Sequence, residues 1–287
     1  MKIKGIEEFR GRLPDFGGGR IGFILILAIS SFFGGLLVLV VGDWCGVLLG
    51  WWGLPLLWSM GVGLMAFGFV NLVWRNREKW LEQYGDRGYQ RGFIYGMVGI
   101  PMVFALVVHV YLPVGWLTPP PIEGGLVWMF STPLTTFLGI GGSVEGVLRI
   151  LIAGGLVLLG LVVLNRAVLT FGIDYMAVVY LYYPEDSEVQ DHAIYSVLRH
   201  PTYHALYILG LGGVVWQFTC YAVLFYLVFA VGMFIHFTYV EEKELVERWG
   251  PTYETYRQQV PAIVVHPRDL EKYMRFLVGV KKRTLKT

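Results

Sequence analysis

Charged side chains are scarce in this chain of 287 residues, where they make up 15% of the total. Soluble domains usually carry about 25% charged residues. Hydrophobic residues account for 55%, and apolar runs recur that are long enough to cross a hydrocarbon core of about 30 Å. Barrel strands would instead alternate apolar and polar residues over about ten positions. The sequence therefore predicts an all-α fold, namely a polytopic transmembrane helical bundle.

Cysteine is nearly absent, since Cys45 and Cys220 are the only two and lie far apart in the chain. Such a pair predicts neither a disulfide framework nor a zinc site. A cleavable signal peptide is not expected, because the first apolar run begins at Ile21 after a basic segment and no cleavage site precedes a soluble domain. We therefore expect no metal and a first helix that stays in the membrane as an anchor.

Positive charge is missing from residues 114–145, which contain neither lysine nor arginine. With six predicted spans, 22 of the 23 lysine and arginine residues fall on one side of the membrane, and the exception is Arg149. The positive-inside rule then predicts a multi-pass membrane protein with both termini and Arg199 in the cytoplasm. The predicted spans are at about 21–42, 54–74, 93–113, 146–170, 203–216 and 219–238.

The distribution of polar residues divides the chain in two. Residues 1–145 contain about three spans with few titratable groups and an outer loop rich in proline and glycine, so we predict a membrane scaffold there. Residues 146–287 hold the remaining spans and most candidate site residues, and we expect short cytoplasmic helices near their end. The tyrosines within 180–183 are expected to be anchors at the membrane interface.

Polar residues interrupt the apolar pattern at Tyr195-x-x-x-Arg199-His200-Pro201-x-Tyr203. A charge at mid-bilayer costs roughly 2.5–3.5 kcal/mol on insertion scales, so ionisable residues beside spans are functional candidates. Pro201 suits the first turn of a helix, which would place His200 at the N-cap, where the helix dipole favours a bound carboxylate. Tyr195 and Arg199 are expected to share one face of a helical turn.

A second polar stretch follows the apolar hairpin 203–238. It begins with Glu241 and Glu242 and continues to Tyr253 and Tyr256. A tight hairpin through the membrane would return both carboxylates to the Arg-His-Pro segment. Opposite charges at one membrane edge would satisfy each other and would also suit a zwitterionic ligand.

Together the two segments resemble the isoprenylcysteine carboxyl methyltransferases and the related phospholipid N-methyltransferases, over residues 165–265. The resemblance implies that both motifs enclose S-adenosylmethionine on the cytosolic side and that a lipid substrate enters from the bilayer. It also implies that 146–287 is a methyltransferase-like membrane core. Ala193 and Ala205 depart from the family, which usually has glycine at both positions. The matching residues are Tyr195, Arg199, His200, Pro201, Tyr203, Glu241, Glu242, Tyr253 and Tyr256.

The resemblance also implies roles. The catalytic residues would be Arg199, Glu241 and Glu242. Arg199 or His200 would bind the methionine carboxylate and Glu242 its ammonium, while tyrosine rings would lie against the sulfonium or the adenine. The cofactor-binding residues would be Tyr195, His200, Pro201, Tyr203, Glu242, Tyr253 and Tyr256.

We therefore expect a methyltransferase that acts on a lipidic acceptor at the cytoplasmic face, either a prenylcysteine-type carboxylate or an amino-phospholipid. A carboxylate needs no base, whereas an amine must lose a proton, which Glu241 or Glu242 would take. The segment 241–261 matches the prenylcysteine branch more closely. The expected partners are membrane lipids and a lipid or lipidated substrate, and not nucleic acid.

Other interpretations remain open. Membrane sterol or steroid reductases that use NADPH share an Arg-His-Pro-x-Tyr segment, and a non-catalytic lipid-binding protein would also fit the pattern. Arg199 and Glu241 would then be a structural ion pair, and His200 a helix cap. His109 and His236 are expected to be packed, hydrogen-bonded residues, although His236 precedes Glu241 by about one turn.

Overall fold

The computed structural model describes residues 6–13, 19–114, 120–140, 142–172, 177, 179–184 and 189–279, and none of these lies in a β-strand. The all-α prediction is confirmed. The α-helices in chain order are α1 Ile6–Gly11, α2 Gly19–Leu49, α3 Leu54–Arg75, α4 Arg77–Tyr84, α5 Arg87–His109, α6 Leu126–Ser131, α7 Leu134–Phe137, α8 Ser143–Phe171, α9 Val179–Tyr182, α10 Pro201–Gln217, α11 Cys220–His236, α12 Glu242–Trp249, α13 Pro251–Gln259 and α14 Leu270–Val278.

Five helical rods in the described part of the chain are long and apolar enough to cross a membrane. They are α2, α3, α5, α8 and the continuous stretch Cys220–Trp249, which contains α11 and α12. The remaining predicted span, 203–216, corresponds to α10. Its 17 residues make it about 25 Å long at 1.5 Å per residue, which is shorter than the other five.

The third span begins earlier than the predicted residue 93. Helix α4 ends at Tyr84. The next residue, Gly85, has a φ of 55°, a conformation that suits glycine, and α5 already starts at Arg87. Trp80 of α4 is buried, so this short helix packs onto the bundle instead of lying free on the membrane surface. The polar segment predicted between the second and third spans is therefore shared between two helices.

Helices α8 and α10 lie antiparallel along the whole of α10. At one end, Arg149 donates to the carbonyl oxygens of Gln217, at 3.1 Å, and Trp216, at 3.3 Å, which satisfies the carboxyl end of α10. Further along, a Cβ on Gly160 would lie 2.7 Å from Cγ of Leu209. The glycine thus permits the two helices to approach closely.

A two-residue turn connects α10 to α11. Phe218 adopts a left-handed conformation with φ 49°, and the side chain of Thr219 accepts a hydrogen bond from the backbone N–H of Ala222 at 3.2 Å. The chain therefore reverses within two residues, and the predicted tight hairpin is confirmed.

The second and third spans, α3 and α5, pack directly against this hairpin. Phe67 of α3 and Leu106 of α5 share one buried cluster with Leu206 of α10 and with Phe229 and Met233 of α11. The most apolar window of α5 is 56% buried, against 17% for α2 and α8. Helix α5 is therefore central, while α2 and α8 present apolar side chains outward, as helices in contact with lipid do.

Polar contacts mark the two ends of the bundle. At one end, here called the site end, His236 Nδ1 lies 2.8 Å from Asn71 Oδ1. At the opposite end, Tyr221 donates to the carbonyl oxygen of Trp52 at 2.8 Å. Helix α10 starts at the site end, because its first turn contacts the segment that follows His236.

Candidate active site

The Arg-His-Pro segment forms the start of α10. Pro201 is the first helical residue and His200 the N-cap, as predicted. The expectation that Tyr195 and Arg199 share a helical turn is wrong, because a 3₁₀ turn, Ala193–Ser196, ends between them. The chain is then fixed by backbone hydrogen bonds from Arg199 and His200 to the carbonyl oxygens of the segment after α13, at 2.9 and 3.0 Å.

One departure from the family has a structural consequence. Ala193 stands where glycine is usual, and its φ of 52° lies in the left-handed region that disfavours side chains. The family's glycine therefore fits a backbone requirement at this turn. The second departure, Ala205, is fully buried within an ordinary helical conformation.

Arg199 joins the start of α10 to the end of α13. Its Nη2 lies 2.6 Å from Glu242 Oε1, and its Nη1 donates to the carbonyl oxygens of Arg257, at 2.6 Å, and Val260, at 3.0 Å. The alternative interpretation paired Arg199 with Glu241, and that partner is wrong. The arginine pairs with Glu242 and also satisfies carbonyl groups at the C-terminus of α13.

His200 lies between the two carboxylates. Its Nε2 is 3.1 Å from Glu242 Oε1, and its Nδ1 is 3.7 Å from Glu241 Oε1. The ring packs against those of Tyr203 and Phe237, with centroids 5.4 and 5.2 Å apart. Tyr203 in turn donates its hydroxyl hydrogen to Glu241 Oε2. The hairpin thus assembles the two sequence motifs into one buried hydrogen-bonded network.

A wide helical turn places Glu241 in this network. Residues Phe237–Glu241 form a π-helix between α11 and α12, and the N–H of Glu242 bonds the carbonyl of Phe237. A turn with i→i+5 bonding stacks residues that are five apart, so His236 and Glu241 face the same side. Both line the cavity described below. Such π-turns are frequent at functional sites.

The three remaining predicted tyrosines border the network from the other side. Tyr256 donates to the backbone carbonyl of Tyr195 at 2.7 Å. The hydroxyl of Tyr253 is buried and has no partner among the described residues. Burial raises the pKa of all three phenols, and nearby carboxylates raise it further. These hydroxyls therefore stay protonated at neutral pH.

A cavity of about 220 Å³ opens beside the network at the site end. The polar residues on its wall include most of the predicted set, but Glu242 lies behind Arg199 and His200. At its other end the wall is apolar. The polar wall includes Tyr195, Arg199, His200, Tyr203, Glu241, Tyr253 and Tyr256. The apolar wall includes Phe67, Val70, Ile100, Val103, Leu206 and Met233.

Several cavity residues were not predicted. Tyr180 was expected to be an interface anchor, yet it is buried and lines the cavity. Trp74 on α3 and the apolar wall from α3 and α5 come from the part that was predicted to be a scaffold. The sequence carried no signal for the apolar residues, because they look like any other lipid-compatible side chains.

A second cleft of about 740 Å³ adjoins the first, and the two share Val189, Trp249 and Tyr256 in their walls. Unlike the first, this cleft is lined largely by polar side chains, among them Asp191 and Lys272. The site is therefore bordered by an apolar region inside the bundle and by a polar cleft at its end.

Comparison with protein families assigns the segment that forms this site. Residues 148–252 match the family model for phospholipid methyltransferase. This segment is a phospholipid methyltransferase domain. The domain belongs with the integral membrane methyltransferases that the two motifs resemble, and it indicates a multi-pass membrane methyltransferase. It includes both motifs up to Thr252 and ends one residue before Tyr253.

Neither a search of curated proteins nor a search of solved structures finds a match to the chain.

Proposed function

We propose that the protein is an S-adenosylmethionine-dependent methyltransferase that acts on a lipidic acceptor. The observation that carries the proposal is the cavity, which joins a charged, hydrogen-bonded wall at Arg199, His200 and Glu241 to an apolar wall inside the bundle. An amphiphilic molecule would match these walls with its head and its tail. The domain match supports methyl transfer as the chemistry.

The residues at the polar end fit the proposed cofactor. A zwitterionic amino-acid group needs groups of both signs, and here Arg199 and His200 stand beside Glu241 and Glu242. The buried hydroxyl of Tyr253 has no partner in the described part of the chain and is available to a ligand. When bound, S-adenosylmethionine supplies a methyl group on a sulfonium, a cation that aromatic rings favour.

The protein's own contribution to this reaction is positioning. The donor carries its own leaving group, so an in-line approach and exclusion of water account for most of the catalysis. Tyr203, held by Glu241, and His200, held by Glu242, are fixed on a short helix whose start is tied by Arg199. We infer that the cofactor lies toward the polar cleft and the acceptor tail toward the apolar wall.

Two acceptors are consistent with the proposal, a prenylcysteine-type carboxylate and an amino-phospholipid. The carboxylate is already ionised near pH 7, whereas the ammonium must lose a proton. The rate should therefore be nearly flat between about pH 6 and 8 for the carboxylate and should rise for the amine.

The test uses the purified full-length protein with a radiolabelled methyl donor and both lipid classes. Label should enter the lipid fraction. In calorimetry, the protein should bind S-adenosylhomocysteine and should not bind NADPH. Binding of NADPH alone would favour a reductase. Absence of any binding would favour a non-catalytic lipid-binding protein, and label in a water-soluble acceptor alone would contradict a lipid substrate.

The proposal places the site and both termini on the cytoplasmic side. It rests on the asymmetry of lysine and arginine in the sequence, where only Arg149 falls on the far side of the six predicted spans. After Cys45 and Cys220 are replaced by serine, single cysteines at Gly125 and His266 should be labelled from opposite sides of sealed vesicles. Labelling of both from one side would contradict the six-crossing arrangement.

A further inference from the structure

Several residues that line the cavity carry a buried polar atom with no hydrogen-bond partner within the described residues. These atoms include Trp74 Nε1, Arg199 Nε, His236 Nε2 and the hydroxyl oxygen of Tyr253. Buried polar groups are almost always hydrogen-bonded in folded proteins, so unpaired groups that converge on one cavity indicate a ligand that pairs with them. Trp74 and His236 lie together, with ring centroids 4.9 Å apart at nearly a right angle.

The state of His236 follows from its partner. Its Nδ1 lies 2.8 Å from Asn71 Oδ1, which is an acceptor, so in the neutral imidazole Nδ1 carries the hydrogen. Nε2 is then left with a lone pair and has no partner among the described residues, on a side chain that lines the cavity. The side chain is buried, and the edge contact with Trp74 fixes the plane of the ring. This arrangement holds a proton acceptor in a defined orientation on a residue of the cavity wall.

The charges around His236 favour a cationic headgroup. Glu241 stands one π-turn further along and lines the same cavity. It accepts from Tyr203 and lies 3.7 Å from His200, and in the described part of the chain no lysine or arginine forms an ion pair with it. Tyr203, with its ring centroid 6.3 Å from that of His236, and His200 are the other titratable neighbours. An acceptor carboxylate would meet a like charge here, whereas an ammonium would be attracted.

Building on the proposed function, we propose that His236 is the catalytic base for an amine acceptor, with Asn71 and Trp74 as positioning residues. The acceptor ammonium gives one proton to Nε2 of His236. The freed electron pair of the nitrogen forms the new bond to the methyl carbon, while the carbon–sulfur bond breaks and its electron pair stays on sulfur. The products are an N-methylammonium, a thioether and the imidazolium, which then releases its proton to water.

Asn71 and Trp74 give the first half of the chain a role in the chemistry. The Asn71 oxygen accepts from Nδ1 both before and after proton transfer, so it favours the imidazolium as the proton arrives. The indole N–H of Trp74 is a donor on the same wall and suits an oxygen of the acceptor headgroup. Both side chains come from α3, outside the matched domain.

The test compares His236→Gln with His109→Gln, which removes the other buried histidine of the spans, far from the cavity. Phosphatidylethanolamine in nanodiscs is the acceptor. His236→Gln should bind S-adenosylhomocysteine within about threefold of wild type, yet methylate at least about 10²-fold more slowly, the usual contribution of a general base. Its residual rate should climb with pH as the amine loses its own proton. His109→Gln should keep the wild-type pH profile.

A measurement without turnover uses ¹⁵N-histidine NMR. The Nε2 signal of His236, assigned by its loss in His236→Gln, should shift when a short-chain phosphatidylethanolamine is added together with S-adenosylhomocysteine. Asn71→Leu should lower the rate by about tenfold, while Asn71→Asp, which keeps an acceptor for Nδ1, should restore most of it. These two variants test the inference even if His236→Gln does not fold.

An unchanged rate and pH profile in His236→Gln would overturn the inference, as would methylation of carboxylate lipids alone. In both cases the proposed function would still hold, provided that the wild-type protein binds S-adenosylhomocysteine and transfers the methyl group to a lipid. Failure of the wild-type protein to bind S-adenosylhomocysteine would overturn the proposed function itself, and with it the role of His236.

Discussion

Among the residues that the structure describes, two buried histidine–carboxylate pairs have similar geometry, one at each end of the bundle. At the site end, His200 Nε2 lies 3.1 Å from Glu242. At the opposite end, His109 Nε2 lies 2.9 Å from Asp43. All four residues are at most 6% exposed. Geometry and burial therefore do not distinguish the two pairs.

The surroundings of the two histidine–carboxylate pairs do distinguish them. The His200 pair is joined by Arg199 and borders the cavity. The His109 pair is closed by the ring of Phe225, at 4.3 Å, and neither of its residues lines either cavity. A buried ionisable pair in a membrane protein is thus not evidence of a site by itself. Open space with unpaired polar groups on its wall is the more selective sign.

The largest expected effect is that of Arg199→Ala. It leaves Glu242 without its arginine and the carbonyl groups of Arg257 and Val260 without a donor. Removing one partner of a buried pair costs about 3–5 kcal/mol, so we expect that loss in the free energy of unfolding. We also expect S-adenosylhomocysteine to bind at least about thirtyfold more weakly, which corresponds to roughly 2 kcal/mol. Denaturant unfolding and calorimetry measure the two.

Arg149→Ala is the matched control, because Arg149 also pairs with a glutamate and donates to helix carbonyls, but at the opposite end. Because Arg149 is more exposed than Arg199, Arg149→Ala should lower the free energy of unfolding by about 1 kcal/mol or less. It should leave the binding of S-adenosylhomocysteine unchanged. Equal losses of binding in both variants would contradict a specific role for Arg199.

The comparison of the two pairs is tested next by Glu242→Ala and Asp43→Ala. Asp43→Ala leaves His109 without its carboxylate and should destabilise the fold by about 1–3 kcal/mol. Glu242→Ala removes the carboxylate that pairs with both Arg199 and His200, so it should cost about 3–5 kcal/mol. Only Glu242→Ala should weaken the binding of S-adenosylhomocysteine by at least about thirtyfold, because only its pair adjoins the cavity. Equal binding by the two variants would remove the His200 pair from the cofactor site.

A smaller effect is expected where α3 meets α5. A Cβ on Gly99 would lie 2.8 Å from the carbonyl oxygen of Ala66 and 2.9 Å from the backbone nitrogen of Val70. Gly99→Ala should therefore push the helices apart, at a cost of about 1–3 kcal/mol, and shift the apolar wall of the cavity. The KM for the lipid should rise, while affinity for S-adenosylhomocysteine stays the same.

Gly61→Ala on α3 is the control for this change, since nothing lies within 4 Å of its Cβ position. It should leave both the stability and the KM close to wild type. A raised KM in Gly61→Ala would mean that helix propensity, and not helix separation, governs the effect.

The smallest effect is expected from Tyr253→Phe. The hydroxyl has no partner in the described structure, so its loss should not lower stability, but affinity for S-adenosylhomocysteine should fall about threefold to tenfold if the ligand pairs with it. Tyr256→Phe instead loses the bond to Tyr195 and should lower stability by about 1 kcal/mol. Because burial raises the pKa of both phenols, neither change should move the pH profile between about pH 6 and 8.

The pairing of the motifs illustrates what could be predicted. Pro201 at the helix start, His200 at its N-cap and the tight hairpin were all predicted, because each depends on local chemistry within a few residues. The partner of Arg199, Glu242, was not predicted. The π-turn changes the direction in which Glu241 points relative to Glu242. A local change from i→i+4 to i→i+5 hydrogen bonds within one helix leaves no mark in composition or spacing.

The sequence by itself determined the class and most of the polar set. Apolar length and the distribution of lysine and arginine set the spans, and costly charges beside them marked both motifs. Only the tertiary structure decided that Trp74 and Asn71 of α3 contact His236, and that Tyr180 lines the cavity. The physical reason is that an apolar or aromatic side chain in a span is equally stable against lipid and against a neighbouring helix, so composition cannot say which surface it faces.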